Sequence, residues 1–301
     1  MYRGENKGLF WSKSYMVFRR ILVYSVLILL TLLCLFTLYI LLTNATKAND
    51  TFKKTYTLKM GSSFFKNMHS VFISVEPMTS FKSRYNTSFP RAMLNSAIVA
   101  VCATFCSVYF STVVAYGIHM YRFKLRNAAF TFILVVMMIP TQVSTTGFIS
   151  MCYKLNWIDH FFPLIIPSIA APVTFFYIKQ YMESVLPFEM VEAARVDGAG
   201  EIRIFHQIVL PVMKPALAVQ IIFAFVASWN NYFIPQLVLV KKASMKTLPI
   251  VISTLYSASN GKIDYGLIYM SIFLAIVPLA IVYFIFSRYI MKGLTLGAVK
   301  G

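Results

Sequence analysis

E-A-A-R-V-D-G-A-G-E-I-R-I-F-H-Q-I-V-L-P, residues 192–211, is a polar island in the apolar second half of this chain. Pro187 can open a short helix, because its missing N–H is an orphan at a first turn anyway, and that helix runs on through Glu192, Ala193 and Ala194. Asp197 and Gly198 then supply turn chemistry, since glycine tolerates positive φ and aspartate bonds its own backbone. In the next helix, Ile202, Phe205, Ile208 and Val209 recur at helical spacing as one apolar stripe, with Arg203, His206 and Gln207 facing elsewhere. Pro211 and Pro215 bracket its end. The predicted element over 187–211 is a helix, a glycine turn and an amphipathic helix. It is too short and too polar to span a bilayer, and its shape suits insertion into a partner's groove.

The rest of the chain explains why such an island stands out. Of 301 residues, 58% are hydrophobic and 13% charged, and the mean hydropathy is +0.70, which suits an integral membrane protein and fits a soluble domain badly. The formal net charge of +18 sits in tails and loops between apolar blocks, so it points to anionic lipid headgroups and not to nucleic acid. Cys34, Cys102, Cys106 and Cys152 lack ligand spacing and read as small buried hydrophobes. There is no H-E-x-x-H, no G-x-S-x-G and no G-x-x-x-x-G-K, so the chain reads as no enzyme; any ATP that drives it is hydrolysed elsewhere.

Taken in order, residues 1–20 form a basic cytoplasmic tail by the positive-inside rule. Residues 21–43 hold an uninterrupted apolar run, read as an uncleaved first span, with removal by signal peptidase as the weaker alternative. Residues 44–90 are an extracellular loop in which Phe64, Phe65, Val71 and Ile73 are available for a small packed cap. A core of five spans occupies 91–287. On the first of these, Ser96, Ala100, Ala103, Ser107 and Ser111 share one face at three- and four-residue steps, which lets helices approach closely. The next, Ala128 to Met151, is interrupted by Pro140-Thr141-Gln142; Gln142 either lines a pathway or bonds the kinked backbone. Phe161 to Tyr177 is the fourth span, and Lys179 and Glu183 mark its return to the cytoplasm, which places the island inside.

The fifth span, Pro215 to Val240, contains W-N-N-Y at 229–232, and Gln220, Ala224, Ser228 and Asn231 fall on one face. Buried amides in hydrocarbon are costly, so this stripe points into protein or a cavity. Bonding between helices and lining of a translocation path both satisfy that, the path set being Gln142, Gln220, Ser228, Asn230, Asn231 and Tyr232. Residues 241–264 return outside, Tyr265 to Phe286 is the sixth span, and 288–301 is a cytoplasmic tail. The expected fold is all-α and polytopic, with six transmembrane helices, a cytoplasmic coupling helix pair and both termini inside. None of the six spans holds Asp, Glu, Lys or Arg, which favours a neutral, hydroxyl-rich ligand.

Glu192-Ala193-Ala194, Asp197-Gly198-Ala199, Ile208 and Leu210-Pro211 resemble the EAA loop of membrane subunits of ATP-driven, binding-protein-dependent importers. R-A-M-L-N-S-A-I-V-A, M-I-P-T-Q-V, W-N-N-Y and the final G-A-V-K-G are similar to the carbohydrate-uptake branch, and to the smaller membrane subunit of maltose-type importers. The family's tryptophan motif often reads W-N-D; Asn231 here replaces an ionised contact with a neutral amide. The resemblance implies a permease subunit in a bacterial inner or plasma membrane, paired with a second, different permease. It also implies two ATPase subunits that carry the ATP and Mg, an extracellular or periplasmic sugar-binding protein, and no cofactor on this chain. Glu192 would engage a basic residue of the ATPase groove, Gly198 would allow the turn, and Ile202 and Phe205 would press into the cleft. The alternative is an importer of another solute: phosphate, sulfate or a peptide.

Overall fold

The computed structural model describes the backbone of residues 5–54, 58–72, 88–256 and 263–298, and their side chains apart from 5–14, 53, 54, 141, 142 and 290–298. Among the described residues every regular element is helical. They form α1 (Glu5–Ala45), α2 (Asn49–Lys54), α3 (Phe64–Phe72), α4 (Phe89–Met120), α5 (Arg126–Met137) and α6 (Thr141–Lys154). After these come α7 (Phe162–Ile165), α8 (Pro172–Val185), α9 (Phe188–Val196), α10 (Glu201–Trp229), α11 (Phe233–Val238), α12 (Leu248–Tyr256) and α13 (Tyr265–Ala298). Among the described residues five stretches are long and apolar enough to cross a membrane: Tyr15–Ala45, Phe89–Met120, Phe162–Val185, Glu201–Trp229 and Tyr265–Tyr289.

The expected third span is two helices. Pro140 has no N–H to give and disfavours helical geometry at Ile139, so α5 closes at Met137 and α6 starts at Thr141. Neither half is long enough alone to count as a span, so the expected interruption at Pro140 divides the third of the six expected spans. Helices also run further than expected. The basic tail is helical from Glu5, since its Lys, Arg, Met and Phe are adequate helix formers. Lys179 and Glu183 sit near the end of α8, Glu201 and Arg203 at the start of α10 and Lys214 near its middle, so these helices do carry charges. Lys179 Nζ lies 2.7 Å from Glu183 Oε1 and 4.0 Å from the Phe130 ring centre, which partners a nearly buried cation twice.

The chain divides into two compact units, Met1–His69 with Asp264–Phe273, and Ser70–Ile263 with Leu274–Gly301. In the first, Asn67 Nδ2 donates to the carbonyls of Ala45 and Lys47, both at 2.8 Å. Phe52 stacks on Tyr269, and Phe64 packs edge-on against Phe273. Of the four residues expected to form a small packed cap, Phe64 packs in this unit and Phe65 is 74% exposed. Val71 is buried in the other unit, and Ile73 lies outside the described residues.

The second unit is built around α4. Ser88 caps it and Pro90 fills its first turn. Ser96, Ala100, Ala103, Ser107 and Ser111 are all buried. Ser107 Oγ donates to Thr174 Oγ1 at 3.1 Å and Ser111 Oγ to the Ala171 carbonyl at 3.3 Å, so the small face is where α4 meets α8. Leu94, Ile98, Val101 and Phe105 on another face are exposed, as a lipid-facing stripe is. At the start of α4, Asn95 Nδ2 donates to the carbonyls of Ser244 at 2.8 Å and Lys246 at 3.0 Å, while Ser96 Oγ accepts from the Leu248 amide at 2.8 Å. Nearby, Asp159 (φ 57°) is buried and its Oδ1 accepts from the amides of Lys241 at 2.9 Å and Lys242 at 3.2 Å.

Candidate coupling site

The polar island is an elbow. Pro187 caps α9 in extended geometry, and α9 ends in a Schellman closure: the Gly198 amide donates to the Arg195 carbonyl, and the Ala199 amide to the Ala194 carbonyl at 2.9 Å. Gly198 takes φ +79°, the left-handed geometry that this closure requires. Gly200 then caps α10, and Glu201 occupies its first turn, where the helix dipole favours a carboxylate.

Glu201 locks the elbow. Its Oε1 lies 2.7 Å from Arg195 Nε, across the turn, and its Oε2 accepts from the Tyr116 hydroxyl at 2.8 Å. Arg195 lies over the Tyr121 ring at 5.4 Å, and its bond to Glu201 raises the guanidinium above its ordinary value. Burial first, and Glu201 second, push the Tyr121 hydroxyl up as well. A second tie holds α9: His119 Nε2 meets the Leu186 carbonyl at 3.0 Å and the ring stacks on Phe188 at 5.0 Å. A carbonyl only accepts, so Nε2 is the donor there. Further along α10, His206 Nδ1 donates to the Ile202 carbonyl at 2.9 Å and Nε2 lies 3.3 Å from the Tyr109 hydroxyl.

One face of the elbow is buried against α4 and α8 through Val191, Ala194, Ile204, Phe205 and Val209. The other is open. Glu192, Ala193, Asp197, Gly198 and Pro211 are exposed, Ala199 and Leu210 are half-buried, and Val196 and Ile202 are 87% and 79% exposed. Glu192 makes no ion pair among the described residues. A shallow groove of about 580 Å³ runs beside Ile202, lined by Gly200, Glu201, Arg203, His206 and Gln207.

Phe205 departs from expectation: at 6% exposure it is packed edge-on against Tyr109 and tilted on Tyr116, so it belongs to the chain's interior and not to an outward knob. The expected four-residue stripe is thereby split, Ile202 outward and Phe205 and Val209 inward. Nor does the second helix end at Pro211 and Pro215. A π turn over Phe205–Val209, with the Leu210 amide bonded to the Phe205 carbonyl, accommodates the proline, and α10 continues to Trp229. Sequence reasoning passed over Tyr116, His119, Arg195 and Glu201 as site residues; Arg195 and Glu201 flanking a glycine turn were the available local signal.

The residues of the path set differ in burial. Gln220 is buried, Ser228 and Asn231 are half-buried, Asn230 and Tyr232 are exposed, and the side chain of Gln142 lies outside the described residues. Because α10 stops at Trp229, Asn231 is not on the helical face of Gln220 and Ser228. Trp229 itself is 2% exposed, stacks on Phe225 and donates to the Ala275 carbonyl at 3.1 Å, which makes it a packing anchor.

Residues 107–295, which contain the elbow, match the model of the family described as "Binding-protein-dependent transport system inner membrane component". The chain is 39% identical over 207 residues to the arabinooligosaccharides transport system permease protein AraQ of Bacillus subtilis, covering 69% of this chain and 72% of the relative. It is 33% identical over 209 residues to the sn-glycerol-3-phosphate transport system permease protein UgpE of Yersinia pestis bv. Antiqua, covering 69% and 74%. With the lactose transport system permease protein LacG of Rhizobium radiobacter it shares 30% identity over 240 residues, 80% and 82% of the two chains. The same fold occurs in a bacterial ABC transporter involved in import of the acidic polysaccharide alginate, with a TM-score of 0.74, 18% identity, and 96% and 99% of the two chains covered. An apolar multi-pass helical chain with an elbow of this sequence, matched along most of its length, belongs to the binding-protein-dependent transport system inner membrane components.

Proposed function

We propose that this chain is the permease subunit of an ATP-driven sugar importer, and that its elbow is the contact through which an ATPase drives it. The observation that carries this reading is the exposed surface formed by Glu192, Val196 and Ile202 on an element whose other face is fixed to α4. Apolar side chains this exposed, beside an unpaired carboxylate, fit a partner's groove with a basic residue in it. In the assembly, a second and different permease completes the path, two ATPase subunits bind ATP and Mg, and a sugar-binding protein delivers substrate from the far side. The elbow then lies in the cytoplasm, and both termini with it. Closure of the ATPase pair moves the two elbows together and rocks the permeases between inward and outward arrangements.

Sugar is favoured over other solutes because AraQ and LacG are named for arabinooligosaccharides and lactose. The amides Gln220, Asn230 and Asn231 with Tyr232 supply the hydrogen bonds and ring face that hydroxyl-rich ligands use. UgpE, named for sn-glycerol-3-phosphate, keeps a phosphorylated solute as the second reading.

The test is reconstitution of the complex in vesicles with its binding protein and ATPase. Uptake of a neutral saccharide that depends on ATP, with loss of ATPase co-purification on Glu192→Ala plus Ile202→Asp, is the expected result. Retention of the ATPase by that double variant removes the elbow reading, and uptake of phosphate, sulfate or peptide in place of saccharide removes the sugar.

A further inference from the structure

We infer that Asn95 is a positioning residue through which movement of the elbow reaches the 243–256 segment, with α4 as the strut between them. This rests on the elbow reading above. The observations are the two ends of one helix. At its last turn, Tyr116 and His119 hold Glu201 and the Leu186 carbonyl; at its second turn, Asn95 and Ser96 hold the backbone at residues 244, 246 and 248.

Between those ends α4 is continuous. It has 32 residues, with proline only in its first turn, and is about 48 Å long at 1.5 Å per residue. The helices joined covalently to the elbow are not continuous. α8 starts only after the non-helical Ala170 and Ala171, and α10 has a π turn at 205–209 and stops at Trp229. Displacement applied at the elbow therefore travels undeformed along α4 and is absorbed on the covalent routes.

The chemistry at the receiving end is specific. Two carbonyls, Ser244 and Lys246, converge on one nitrogen, and the Asn95 amide supplies two hydrogens there without bringing a charge into a site where Asn95 is 3% exposed. The Leu248 amide, the first of α12, is held by Ser96 Oγ, and α12 then buries Leu248, Ile250, Val251 and Leu255. The orientation of α12 is thus set by α4. Asn95→Asp keeps the shape, removes both donors and brings a negative charge against two carbonyls. Asn95→Gln keeps both donors on a longer arm.

The test uses the full complex in lipid, with the four native cysteines replaced by alanine and a spin label at Glu189→Cys or Ser253→Cys, compared without nucleotide and trapped with ATP and vanadate. In the otherwise unmodified chain both labels are expected to change. With Asn95→Asp, the Glu189 label still responds, the Ser253 label does not, and transport falls on the order of tenfold while ATP hydrolysis continues; Asn95→Gln recovers part of both losses. If Asn95→Asp does not assemble, Ser96→Ala must show the same selective loss at Ser253 with smaller amplitude. A Ser253 response that survives either variant overturns the strut. A silent Ser253 with a responsive Glu189 in the unmodified chain does the same, and a silent Glu189 label overturns the elbow reading instead.

Discussion

The Tyr116 hydroxyl donates to Glu201 Oε2 at 2.8 Å, joining the last turn of α4 to the first residue of α10 across 85 positions of sequence. The acceptor is charged and its other oxygen holds Arg195, so one carboxylate closes both the elbow's turn and its attachment. At this half-exposed carboxylate the hydroxyl bond contributes on the order of 1 kcal/mol and the solvent-screened ion pair less.

Tyr116→Phe is expected to loosen the elbow without unfolding the core. Amide hydrogen exchange over residues 195–204 should quicken on the order of tenfold, the equivalent of about 1.4 kcal/mol, while exchange in the middle of α4 stays unchanged. Equal quickening in both places would show that the bond serves global stability only.

Ile202 and Phe205 should separate binding from folding. Ile202→Asp changes a side chain that is 79% exposed, so expression and melting stay the same while ATPase capture is lost. Phe205→Ala empties a site that is 6% exposed and should cost about 3–5 kcal/mol, seen as poor recovery from membranes and a lower melting temperature.

Gly198 tests the turn. Nothing lies within 4 Å of a Cβ built on it, so the penalty of substitution is its φ of +79° alone. Gly198→Ala should lower stability by about 1–2 kcal/mol, and Gly198→Asn by less, because asparagine tolerates the left-handed region. Thermal unfolding of the purified complex ranks the three.

Asp159 gives the matching test at the other end of the unit. Asp159→Asn keeps an acceptor for the Lys241 and Lys242 amides and tolerates φ 57°, so melting should change little. Asp159→Ala removes the acceptor of both amides; Lys241 and Lys242 are themselves exposed, so water can replace part of it and the cost should be about 0.5–1.5 kcal/mol.

Local grammar made part of this fold legible. Asp197 and Gly198 stop α9 where turn chemistry says, the small residues of α4 are buried at the steps their spacing gives, and Pro140 breaks the third apolar run. The hidden part depends on partners far apart in sequence. Tyr116 with Glu201 and Asn95 with Ser244 and Lys246 are pairs that no window of neighbouring residues contains. The passage of α10 through Pro211 was hidden for another reason: a proline in isolation reads as a stop, and only the finished backbone shows the i→i+5 bond that accommodates it. Phe205 turns inward because its ring packs on Tyr109 and Tyr116, partners about 90 to 100 positions away that helical spacing alone does not reveal.

The π turn at Phe205–Val209 also sets the azimuth of everything above it. One additional residue in a helical turn offsets the remainder of the helix by about 100°, the angle between successive side chains. Gln220 and Ser228 therefore point where they do because of a single surplus position. Deleting one residue between 205 and 209 would restore a regular helix, leave composition and span length almost untouched, and swing both side chains by more than a quarter of a revolution relative to Ile202.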